Sequence, residues 1–127
     1  MRTRNHAIAT FLALFALGTS VMSAAPRTMR VDYFHTGNAT EEQFSFDRVV
    51  LEPLPWPGNP KRPIDETNLG KYFFEVVDRA SNRVVYSRGF ASVYGEWETT
   101  GEAKEIRRTF SESLRFPAPD APVQISL

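Results

Sequence analysis

Apolar and polar side chains alternate through residues 28–34, and this period of two most constrains what the chain can fold into. Met29, Val31 and Tyr33 fall on one side of an extended backbone, and Thr28, Arg30 and Asp32 on the other. A half-buried strand has this pattern, because successive side chains leave opposite faces of the pleat. The period recurs in residues 43–52, where Phe44 and Phe46 hold one parity and Val49 and Leu51 the other. One extra residue near Asp47 and Arg48 would bring both sets to a common face and into the core. Residues 71–78 and 83–90 form a hairpin through Arg79, Ala80, Ser81 and Asn82. Tyr72, Phe74 and Val76 share one face of its first strand, and Phe73 and Val77 the other, which predicts a central strand. Phe110, Leu114 and Phe116 alternate with polar neighbours, as do Val123, Ile125 and Leu127.

Between these runs lie breakers. Gly37 and Asn38 mark a turn. Residues 53–68 carry Pro53, Pro55, Pro57, Pro60 and Pro63, which remove backbone donors and predict a long loop around Trp56. Thr99 and Glu102 have capping-box spacing, so one short helix is expected over residues 100–107. Residues 91–97 are expected to be extended. Many strands and one helical signal predict an all-β domain, a β-sandwich of immunoglobulin-like or jelly-roll-like type. The final strand runs to Leu127 without a polar tail, which predicts that the chain is the front part of a longer protein.

The first residues follow the order of an export signal. Arg2 and Arg4 precede an apolar run over residues 7–21, and Met22, Ser23, Ala24 and Ala25 supply a small-residue exit. A signal peptide is therefore expected over residues 1–25, cleaved near Ser23 to Ala25, with the sandwich over residues 26–127. The apolar run is shorter than the roughly 20 residues a spanning helix needs, so no stable membrane anchor is expected. The predicted location is the periplasm, the cell surface or the medium. Without the leader, thirteen basic residues face fifteen acidic ones. With no basic tract, nucleic acid is excluded as a partner. The chain has no cysteine, so the fold must rest on its core rather than on disulfides.

The residues offer little chemistry. Outside the leader the single histidine is His35, expected to be a solvated residue beside the turn. No glycine-rich phosphate loop, serine elbow or cysteine nucleophile occurs, and no cofactor is implied. Glu96 and Glu98 flank Trp97. On an extended strand they would share one face with Trp97 buried opposite, the arrangement of a polar face or, as a minor alternative, an acid–base pair. Arg88 is placed to pair with either glutamate across neighbouring strands, and Gly89 to allow a bulge or a close approach. Trp56, on a proline-stiffened loop, is a candidate platform for a sugar ring, against the simpler reading of packing over the sheet edge. Trp56, Glu96 and Glu98 are thus the candidate binding residues. Asn38, Ala39 and Thr40 form a glycosylation sequon.

Four stretches in order carry a resemblance: residues 28–33 (TMRVDY), 86–90 (YSRGF), 95–100 (GEWETT) and 113–117 (SLRFP). Together they resemble the N-terminal domain of the IgA-peptidase-type zinc metallopeptidases, secreted proteins common in Bacteroidetes. The resemblance extends from Thr28 to Leu127. It implies a β-sandwich preceding a catalytic domain that holds the zinc. An accessory role follows, without enzymatic activity, with the peptidase catalytic domain or its protein substrate as partner. No zinc ligand or general base of the family has a matching position in this chain. The alternative is a stand-alone exported module that binds carbohydrate or protein.

Overall fold

The computed structural model describes residues 24–127, so nearly all of the expected leader lies outside the described residues. Six strands form two three-stranded antiparallel sheets. The strands are β1 (Arg27–Gly37), β2 (Glu42–Pro55), β3 (Tyr72–Asp78), β4 (Arg83–Phe90), β5 (Arg108–Pro117) and β6 (Val123–Ser126). The first sheet has the order β2-β1-β5 and the second β4-β3-β6. The all-β sandwich expected from the alternation is what forms.

The core lies between the sheets. Val31 and Tyr33 of β1 and Leu114 and Phe116 of β5 meet Phe74 and Val76 of β3 and Tyr86 of β4. Each such side chain, fully buried, contributes about 1.5–3 kcal/mol. Apolar residues on both faces of β3 do mark a central strand, since it lies between β4 and β6. Asp78 closes the hairpin by accepting from the Ser81 backbone at 2.7 Å and its hydroxyl at 2.6 Å, while Asn82 takes a left-handed φ of 55°. The outer face of the first sheet is a ladder of charge. Arg30 donates to Asp32 at 2.7 Å and to Glu52 at 2.9 Å, and Arg48 lies 3.3 Å from Asp32. The Arg30 hydrogen bond outweighs partial burial and holds the Asp32 carboxyl below its usual range.

β2 departs from expectation twice. It runs on through Pro53 to Pro55, which an end strand tolerates because the missing donors face no neighbour. The bulge falls at Asp47, where Asp32 pairs with Arg48 and Tyr33 with Phe46. It brings Phe44, Phe46, Val49 and Leu51 to one face, but that face is open rather than core. Their exposures are 39, 69, 51 and 44 %. Tyr72 of β3 meets Phe44 edge-on at 6.2 Å and β6 approaches the rest, leaving a groove of about 230 Å³ lined by β1, β2, Leu114, Ile125 and Leu127.

The helix is also displaced. Residues 93–97, expected to be extended, form α1 (Val93–Trp97), capped by the Ser92 hydroxyl accepting from Gly95 N–H at 2.9 Å. Where a helix was expected over residues 100–107 there is one 3₁₀ turn, Glu102–Lys104. Glu102 does not reach back to Thr99 but accepts from the Trp97 indole at 2.7 Å and from Arg108. No helix among the described residues is long and apolar enough to cross a membrane.

The proline-rich connection is pinned to β4. Asp65 accepts from the Thr67 hydroxyl at 2.6 Å, the Gly89 N–H at 2.7 Å and the Thr67 N–H at 2.8 Å, while Ser87 N–H donates to the Pro63 carbonyl. Gly89 permits a close approach, since a Cβ there would lie 2.2 Å from the Leu69 carbonyl oxygen. The Thr67 hydroxyl first, then the two N–H groups, hold the Asp65 carboxyl down at about 2. A depressed folded-state pKa gives stability that is present above the unfolded value, near 4, and lost as pH falls toward 2. Over that range the thermal midpoint of the protein is expected to drop more steeply than that of Asp65→Asn. Parallel curves would show that Asp65 contributes nothing.

Candidate functional site

His35 is not solvated. It continues the inward parity of Val31 and Tyr33 and is fully buried, 0 % exposed. Its Nε2 lies 2.9 Å from Glu42 Oε2 and its Nδ1 3.2 Å from Glu112 Oε2. A neutral imidazole has one N–H and can donate to only one of these carboxylates, whereas the doubly protonated ring donates to both. Tyr94 stacks on the ring at a centroid distance of 3.7 Å and Phe44 lies at 4.2 Å. Tyr33 hydroxyl and Tyr94 N–H donate to Glu112 at 2.9 and 3.0 Å, and Tyr72 hydroxyl donates to Glu42 at 2.9 Å. Burial alone would raise the Glu42 carboxyl, but donation from His35 and Tyr72 and the charge of Lys71 hold it below its usual value. Burial, with the nearby carboxylates second, pushes the Tyr33 and Tyr72 hydroxyls well above the ordinary tyrosine range.

This cluster joins β1, β2, β3, β5 and α1. No buried side-chain nitrogen or oxygen among the described residues lacks a partner. Both His35 nitrogens face carboxylates, and no group of three metal-ligating side chains occurs among the described residues. With both ring nitrogens engaged, the arrangement fits a structural clamp.

The sequence-predicted site residues do not converge. Trp56 is half-buried at the fringe of the core, edge-on to Tyr86 at 5.8 Å, with Gly58 folded against its indole. Glu96 is exposed in α1. Glu98 is ion-paired with Lys71 in a polar recess beside Glu41 and Glu42. Because residues 93–97 are helical, Glu96 and Glu98 do not share a strand face. Trp97 is half-buried against Tyr94 and Phe110. Arg88 does not pair with either glutamate, since β4 carries it away from α1 and its guanidinium donates to the Tyr86 hydroxyl at 3.2 Å. A recess of about 470 Å³ lies between β4 and the connection from Pro117 to Val123.

A family model, the peptidase M64 N-terminus, matches residues 22–127. The chain belongs to that family. All four stretches that carried the resemblance fall inside the match, and they supply opposite parts of this M64 N-terminal domain. Residues 28–33 and 113–117 pair in the first sheet, whereas residues 86–90 form the second part of β4 and residues 95–100 cover the end of α1 and its exit. The motifs thus mark the framework of an M64 N-terminal domain rather than one catalytic surface. No curated protein matches the sequence.

Proposed function

We propose that this M64 N-terminal domain acts outside the cytoplasm as a non-catalytic accessory unit, packing against a peptidase catalytic domain or helping to position its protein substrate. The match to the M64 N-terminus carries this reading. Among the described residues the buried side-chain polar atoms all have hydrogen-bond partners, which suits a structural interior. A stand-alone carbohydrate- or protein-binding module is the alternative. Trp56 favours it less, since part of its indole is spent on Tyr86 and Gly58.

The test is to mix the domain with a separately made M64 catalytic domain. Co-elution and a changed kcat/KM on a protein substrate are expected. Independent elution with unchanged cleavage would sink the accessory role. For export, expression with the native leader should yield a chain whose first residue lies within residues 24–26, and an intact leader would contradict it.

A further inference from the structure

We propose that the free edge of β2 is a homodimer interface, on which the β2 strand of a second copy of this chain adds antiparallel to form one six-stranded sheet. β2 is an end strand, and one edge of its backbone pairs with no described strand. Its inward face is apolar and open at Phe44, Phe46, Val49 and Leu51. A long, exposed, apolar edge of this kind is a template for another strand.

What selects a second copy is the symmetry of the strand itself. Read outward from the Asp47–Arg48 bond in either direction, β2 presents a charge, an inward apolar residue, an outward residue and a second inward apolar residue. A two-fold axis at that bond sets Phe46 opposite Val49 of the other copy, and Phe44 opposite its Leu51. Without the bulge these pairs would lie on opposite faces. With it, Phe44, Phe46, Val49 and Leu51 all share the face of their β1 partners His35, Tyr33, Val31 and Met29. A bulge ordinarily guards an edge by breaking its register, but here it sits on the axis and restores the match.

Charge follows the same symmetry. Asp47 lies 3.2 Å from Arg48 within the chain. Across the axis each Asp47 faces the other copy's Arg48, so two opposite-sign pairs meet head to tail. The register ends with Pro53 opposite Glu42, where a missing donor removes only the last rung of the ladder, and Pro55 lies beyond it.

The measurement is the mass of the purified chain in solution, by sedimentation equilibrium, for the protein and three variants. The unmodified chain is expected to dimerise. Asp47→Arg and Arg48→Asp each place like charges across the axis and should each weaken the dimer by roughly ten-fold or more. Mixed in equal amounts, these two variants should form a heterodimer, because each then faces its opposite. Phe46→Asp, at a position already exposed to solvent, should also give a monomer while its circular dichroism stays that of the folded chain. A protein monomeric at every concentration up to millimolar would overturn the proposal. So would a dimer indifferent to all three substitutions, or a mixture that fails to recover association while both charge variants remain folded. None of these outcomes bears on the peptidase, which is absent from the experiment.

Discussion

Glu112→Ala is expected to destabilise the domain by about 3 kcal/mol or more, since three donors lose their shared acceptor at about 1–3 kcal/mol for each buried group left unsatisfied. Glu112 accepts from Tyr33 hydroxyl, His35 and the Tyr94 N–H, and its side chain is 8 % exposed. Alanine leaves all three facing a void, with Glu42 the one carboxylate still beside His35. For a domain of this size the thermal midpoint should fall by roughly 12–24 °C. Glu112→Gln keeps an acceptor for one donor and should lose less. Replacing His35 and Glu112 together with leucine should cost less than the sum of the two single leucine changes, because each single change leaves the other residue's polar atoms without a partner. Thermal melts of the unmodified protein, the two other Glu112 variants, the two single leucine variants and the double variant decide this. A loss below about 1 kcal/mol for Glu112→Ala would mean that water replaces the carboxylate freely.

Most of this cluster was legible in the strand period, though not in any residue alone. His35 follows Tyr33 by two positions, so the parity that buries Val31 and Tyr33 also buries His35. Glu112 stands between Phe110 and Leu114 on the inward parity of β5 in the same way. A histidine beside a turn is commonly solvated, and that local prior hid the register. Two polar residues at inward positions of neighbouring strands are the signal, and β1 and β5 do pair Tyr33 with Glu112. The helix was hidden for a different reason. Val93–Trp97 is too short for a 3.6-residue period to show, and only Ser92 and the Tyr94–Trp97 spacing point to it. The open face of β2 was beyond pattern reading altogether. Alternation states which side chains share a face, but whether that face is covered depends on how many strands the opposite sheet brings. Trp56 and Glu98 failed to converge because the loop folds one against Tyr86 while α1 turns the other toward Lys71.

That distinction between sharing a face and being covered leads to the second large effect. Phe116 and Phe46 have the same side chain, sit on strands of the same sheet and point to the same side of it. Phe116 is 0 % exposed, paired with Met29 and packed against Phe74 and Tyr86 at centroid distances of 6.2 and 6.4 Å. Its neighbours belong to both sheets and are fixed by their own ladders, so the space left by Phe116→Ala has little means of closing. The expected loss is therefore about 4 kcal/mol, in the middle of the range for truncating a buried phenylalanine. That is a large share of the 5–15 kcal/mol by which domains are ordinarily stable, and the variant should be partly unfolded at 37 °C. Phe46→Ala removes a ring that already faces solvent, and in dilute monomer its cost should stay below about 0.5 kcal/mol. Urea unfolding of both variants, at a concentration low enough to hold the chain monomeric, separates the two sites. Similar losses would mean that the groove between β2 and β6 closes over Phe46 in solution, and that the open face is not open.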